Sequence, residues 1–240
     1  MNTPLRRYER EHAITRAETI ALLCVVGIFG FLAYSALFMP SHHTQPGRMT
    51  EQLNNGRQIY LAMRNYAEER FHKGEFPTFR DPDAKAEPFA HSSEAFEALL
   101  PFFLEDKQPY FNQKSAWCRV TRRSKDTEHK VLPGDNDWVY VRGLRKDSPE
   151  QWPLLANAFA PGTKHYVAGP KQPGGVWDGK VAVIVYANGS AEIIDTIKSG
   201  DTYFIPRADK PTANAFAKDG EWLAGEHVEV LYPLPPPPAK

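Results

Sequence analysis

The chain has 240 residues, and its 29 lysines and arginines are balanced by 29 aspartates and glutamates. Zero net charge with no basic tract leaves no electrostatic footprint for a polyanion, so nucleic acid is set aside as a partner. The two cysteines, Cys24 in an apolar run and Cys118 in the polar remainder, cannot pair within one folded chain. No disulfide framework is expected, and Cys118 reads as a small buried apolar residue.

In chain order, residues 1–16 form a basic leader carrying Arg6, Arg7, Arg10 and Arg16. Residues 17–39 follow, and Ile20 to Met39 carry no charge. At 1.5 Å per residue, roughly 20 helical residues cover the ~30 Å hydrocarbon core of a bilayer. The run therefore predicts a transmembrane helix, with the arginine-flanked N-terminus cytoplasmic and everything after Pro40 outside. A removable signal peptide is the competing reading, but the run exceeds the usual apolar core of about 7–15 residues.

Residues 40–47 contain Pro40, Pro46 and Gly47 and read as a linker that interrupts any helix. Residues 48–232 are expected to form the globular domain. From Thr50, the predicted cap, to about Phe71, small or apolar residues at Met49, Leu53, Gly56, Tyr60, Met63 and Ala67 recur at spacings of three and four. This is the stripe of a helix packed on a sheet. A short helix capped by Ser92 or Ser93 is expected next, with Phe96, Leu99, Leu100, Phe103 and Leu104 as its apolar face.

Trp138 to Val141 reads as a strand, and residues 121–130 as a solvated, charged loop or a short exposed strand pair. Lys180 to Asp195 gives the clearest local signal: two β-rich runs around Asn188-Gly189, the preferred pair for a two-residue type I′ hairpin. Val181 to Tyr186 lacks a polar face, so that strand is expected to be buried on both sides. Thr202 to Pro206 and His227 to Tyr232 read as edge strands, and residues 233–240 as a proline-rich tail.

Two regions resemble type IV pilin-like proteins and pseudopilins, in particular the large prepilin-type proteins of planctomycetes and verrucomicrobia. The first is Ala13-Ile14-Thr15-Arg16-Ala17-Glu18 followed by the apolar run. The second is Asn54-Asn55-Gly56-Arg57-Gln58 through Asn65-Tyr66, closing with Gly74-Glu75-Phe76-Pro77. The resemblance implies an α+β fold, with an N-terminal transmembrane helix and then an amphipathic helix on a small antiparallel sheet. It implies leader cleavage between Ala13 and Ile14, and an assembly role for Glu18 opposite a neighbour's N-terminal amine. The implied function is that of a subunit or accessory component of a type IV pilus or type II secretion-like apparatus. Its implied partners are the inner membrane and other pilin-like subunits or copies of itself. The alternative is a non-polymerising, membrane-anchored periplasmic binding module of the same fold. Ala13 in place of the usual glycine, Arg16 within an apolar stretch, and the Pro46-Gly47 break point toward it.

No catalytic, cofactor or metal pattern stands out, and no small-molecule substrate is indicated. Asp135-Asn136-Asp137 looks like the opening of a calcium loop but lacks the central glycine and distal glutamate. Trp117, Trp138, Trp152, Trp177 and Trp222 would make a sugar platform if exposed, although such residues more often fill a core. His91, His129, His165 and His227 show no ligand spacing.

Overall fold

The computed structural model describes residues 45–69, 73–79, 87–100, 103–104, 111, 130–169, 172–225 and 227–234, together with 19–20, 23–25 and 28. The chain divides into two compact units, Met1–Thr44 and Gln45–Lys240. In the first, the described residues are helical and leave Ile20, Leu23 and Ile28 exposed.

No helix among the described residues is long and apolar enough to cross a membrane. This overturns the expected fold class, a transmembrane helix leading into one small sheet. The long helix that is described, α1 (Gln45–Glu68), carries Arg57, Arg64 and Glu68 on an exposed face, and most of the run 20–39 lies outside the described residues. Helix α1 begins earlier than expected. Pro46 and Gly47 occupy its first turn, where a missing amide breaks no hydrogen bond, and Thr50 lies inside the helix and does not cap it.

The second unit is mixed α+β with two antiparallel sheets. Its elements after α1 are α2 (Ser92–Glu97), β1 (Trp138–Arg142), β2 (Pro153–Asn157), β3 (Tyr166–Val167), β4 (Val181–Tyr186), β5 (Ala191–Asp195), β6 (Ile197–Ser199), β7 (Thr202–Phe204) and β8 (Glu229–Leu231). A five-stranded sheet runs β5-β4-β2-β1-β8, and a three-stranded sheet runs β3-β7-β6. Strand β4 lies inside the sheet between β5 and β2, with Ala182 to Val185 buried, as its lack of a polar face predicts. Strand β2 is wholly buried between β1 and β4 but has no alternation to reveal it. Its Pro153 sits at the first strand position, where no ladder amide is needed, and the β4 register shifts between Pro153 and Leu155. Strand β8 is an edge, as expected, whereas β7 is the middle strand of the second sheet.

Helix α1 lies on one face of the larger sheet. Gln52, Asn55, Gly56, Ile59, Tyr60, Met63 and Tyr66 turn inward, and Arg57, Leu61 and Arg64 turn out. Gly56 marks the closest approach: a Cβ there would lie 2.8 Å from Val185 Cγ2 and 3.0 Å from Trp138 Cη2. Phe76 is fully buried, and Pro77 receives the Tyr140 hydroxyl on its carbonyl at 2.9 Å. The face that Val141 presents, opposite Tyr140, is lined by Phe216 and Leu223 from the segment after β7, whose Ile205 and Ala215 join the same core.

The β4–β5 hairpin differs in detail from the expected two-residue turn. Val185 pairs with Ala191, Tyr186 N donates to the Ser190 carbonyl, and Gly189 N donates to the Tyr186 carbonyl, each at 2.9 Å. The loop thus has three residues, Ala187 to Gly189. Gly189 alone among them has positive φ, at 84°. This is a type I turn closed by a left-handed glycine. Asn188 serves instead through its side chain, which accepts from Ser190 N at 2.9 Å and Ser190 Oγ at 2.6 Å.

Two substitutions test this packing by urea denaturation. Gly56→Ala gains helix propensity of about 1 kcal/mol but meets overpacking of about 1–3 kcal/mol, so a net loss is expected. Val185→Ala, which removes the obstructing methyl, should couple favourably with it by at least ~0.5 kcal/mol; additive effects would mean the contact is not tight. Gly189→Val should cost about 3 kcal/mol or more, because it combines an unfavourable φ with a Cβ placed 2.2 Å from the Tyr60 ring. An unchanged midpoint would contradict the hairpin geometry.

Candidate assembly and binding surfaces

Ala13, Ile14 and Glu18, the residues of the expected cleavage and assembly site, lie outside the described residues. So do Cys118, Trp117, His129 and residues 235–240 of the tail. The second candidate region, Asn54 to Tyr66 with Gly74 to Pro77, is described throughout. It forms the seam of α1 with the sheet and the turn that follows.

The residues from Asp135 to Asp137 are buried and engaged with the chain itself. Asn136 Nδ2 donates to Ser92 Oγ at 2.9 Å, and Asn136 Oδ1 accepts from Trp138 N at 2.9 Å. Asp135 Oδ2 accepts from Leu132 N at 3.1 Å, and Ser92 Oγ donates to the Trp138 carbonyl at 2.8 Å. Leu234 N reaches Ser93 Oγ at 3.3 Å, and Gly134 N reaches the Leu234 carbonyl at 3.0 Å. The motif that looks like a calcium loop is a strap joining α2, β1 and the C-terminal segment. Among the described residues, no three acidic, histidine or cysteine side chains gather in a way that could hold a metal ion.

The four described tryptophans do not form an exposed platform. Trp138 and Trp222 are buried, and Trp152 and Trp177 are half-buried. Trp177 and Asp178 both hold positive φ, at 55° and 56°, and the Trp177 indole N–H donates to Gln52 Oε1 at 3.2 Å. Asn157 Nδ2 donates to the same oxygen at 3.1 Å, while Asn157 Oδ1 accepts from Val183 N at 2.6 Å. One carboxamide thus completes the β2–β4 ladder and ties it to α1. Sequence reasoning missed Gln52 and Asn157; Gln52 sits beside the helical stripe, and its polarity masked its burial.

The three described histidines stand apart in their surroundings. His227 packs edge-on to Phe79, His165 to Phe204, and His91 lines a cavity of about 230 Å³ with Phe159, Pro161, Pro173, Tyr232 and Pro233. Burial pushes the Tyr66 hydroxyl up to about 12 and raises Tyr140 and Tyr166 well above their ordinary value, so all three stay protonated at neutral pH.

A second unforeseen cluster closes the sheet's other face. The buried Arg207 donates from Nε to Asp209 Oδ1 at 2.9 Å and from Nη2 to Asp209 Oδ2 at 2.5 Å. Its Nη1 donates to Asp219 at 3.2 Å, and its guanidinium lies 4.2 Å above the Trp222 ring. The hydrogen bond from Arg207, reinforced by its charge, holds the Asp209 carboxyl below its ordinary range. A depressed folded-state value means that the clamp is intact above the ordinary carboxylate pKa and weakens as pH falls through the depressed one. Tryptophan fluorescence titrated into acid should show this step in the native chain and lose it in Asp209→Asn. Identical titration curves would rule the clamp out as its source.

Comparison with protein-family models, with curated proteins and with solved structures yields no match for this chain.

Proposed function

We propose that the chain is a pilin-like subunit or accessory component of a type IV pilus or type II secretion-like apparatus, held at the inner membrane with its folded unit outside the cytoplasm. The observation that carries this reading is where the second resembling region falls. Asn55, Gly56, Ile59, Tyr60, Met63 and Tyr66 face the sheet, and Phe76-Pro77 anchors the segment after the helix. Of the residues that match the pilin-like stretch, Asn55, Ile59, Ala62 and Tyr66 serve the packing of this helix on the sheet, while Asn54, Gln58 and Leu61 are exposed. The outward residues Arg57, Leu61 and Arg64 are left for neighbours. This division suits a subunit that presents one helix face while the other is committed to its own fold.

A second reading, a periplasmic binding module that does not polymerise, is favoured by Arg16. A charge inside a stretch that a filament core must bury costs several kcal/mol unless paired. The apolar cavity beside Phe159 and Tyr232 would be such a module's natural concave site.

Intact mass of the purified full-length protein separates the two. A processed subunit lacks residues 1–13 and begins at Ile14, and Glu18→Ala then abolishes assembly while leaving the folded unit unchanged. An unprocessed module begins at Met1 or Asn2 and is indifferent to Glu18→Ala. A leader removed at any other position would defeat the pilin-like reading.

A further inference from the structure

We propose that strand β5 is a self-association edge, and that two copies of this chain pair their β5 strands antiparallel about a two-fold axis at Ile193. The inference is independent of the pilin-like reading and rests on backbone phase, exposure and charge.

The phase follows from the hairpin. Tyr186 N donates to the Ser190 carbonyl and Thr196 N donates to the Lys180 carbonyl, so even-numbered residues of this segment bond inward to β4. Ala191, Ile193 and Asp195 therefore direct their amides and carbonyls away from the sheet. Among the described residues, β5 has no strand beside it but β4, and the backbones of Ile193 and Asp195 make no hydrogen bond to a turn or loop. Strand β5 is the outer strand of the larger sheet, and the Ile193 side chain beside these free groups is 41% exposed. The other edge, β8, has only three residues, and the chain around it is tied down through Ser92 N to the Tyr232 carbonyl and through the Arg142–Glu229 ion pair.

Charge selects both the occupant and the register. Arg57 Nη2 makes a long contact of 3.4 Å with the Ala191 carbonyl, so a guanidinium stands over the outward edge at one end of β5, and among the described residues no carboxylate pairs with it. The exposed Asp195 stands at the other end, also without an ion pair among the described residues. In a two-fold pairing centred on Ile193, Ile193 meets its own copy and Ala191 faces the second copy's Asp195. That carboxylate arrives beside Arg57, and the incoming amide takes over the Ala191 carbonyl that Arg57 releases. The arrangement repeats on the other side of the axis. A pairing centred on Asp195 would place like charges directly opposite, and one centred on Ala191 would bring the two Arg57 side chains together; both are disfavoured. Glu192 and Asp195 protect this edge from indiscriminate strand addition, and only the Ile193-centred register turns Asp195 into an attraction. The product is one ten-stranded sheet with both α1 helices on the same face.

Cross-linking tests this on the full-length chain in a Cys24→Ser, Cys118→Ser background. Across the axis the two residue-193 Cα atoms should lie about 5.5 Å apart. A short bismaleimide should therefore join Ile193→Cys to itself far more efficiently than Lys218→Cys, an exposed control on another segment. Adding Arg57→Asp or Asp195→Arg to Ile193→Cys should weaken dimer formation about five- to tenfold, as expected for two opposite-charge pairs made like-charged. Combining both reversals should restore the yield to within about twofold, because each new aspartate again meets a new arginine. Equal yields at residues 193 and 218 would overturn the proposal. So would reversals without effect, or a double reversal no better than the single ones, since an incoming peptide or unrelated partner has no reason to restore the swapped pair.

Discussion

The architecture of the second unit depends on one close contact, the approach of Gly56 to Val185 and Trp138. A side chain at residue 56 would hold α1 off the sheet, and the pairs that depend on that separation would part with it. Gln52 could not reach Asn157, and Tyr60 could not lie under the glycine of the β4–β5 turn. Glycine within a helix costs about 1 kcal/mol relative to alanine, and here the burial of Ile59, Met63, Trp138 and Val185 offsets that cost. The same contact explains why Gly189 must be glycine twice over, once for its φ and once for the ring beneath it.

Around this apolar seam the polar groups act as straps. The Asn157 carboxamide stands in for a backbone partner at Val183, and Asn136 does the same at Trp138. Both sit where a strand begins or ends, where ladder bonds run out and a buried amide would otherwise stay unmet. Arg207 plays the corresponding part on the far face through Asp209, Asp219 and Trp222. These residues carry the polar chemistry of the core, and their partners belong to the fold itself.

Legibility in the sequence tracked periodicity. The α1 stripe and the two-sided burial of β4 could be read directly, because each repeats a pattern over several residues. Strand β2 could not, since Pro153-Leu154-Leu155-Ala156-Asn157 is buried on every side and short enough to pass for a loop. The hairpin was legible as a turn but not as a three-residue one, because Asn188 suits both and only the Tyr186–Ser190 bond decides between them. The helix start was misplaced because Pro46 breaks a helix from within yet is at home in a first turn. Of the surfaces, the Asp135 to Asp137 loop was visible as a motif, but its burial was not. Gln52 and Asn157 gave no signal, since their partners lie 105 and 26 residues away, and the burial of Arg207 beside Trp222 showed in no local pattern.

The position of β8 has a consequence for how the chain is made. Strand β1 is an interior strand only because β8 covers its outer side, and the Arg142–Glu229 pair that joins them spans 87 residues. At about 5–20 residues per second, a ribosome needs roughly 4–17 s to move from one to the other. Throughout that interval the nascent sheet shows Tyr140 to Arg142 as a bare edge next to its largest aromatic side chains. Strands β1, β2, β4 and β5 can pair in that time, but the sheet is completed only when Glu229 to Leu231 arrive. A chaperone or a translocation channel engaging this protein during synthesis would therefore meet an open β1 edge, a surface the finished molecule no longer offers.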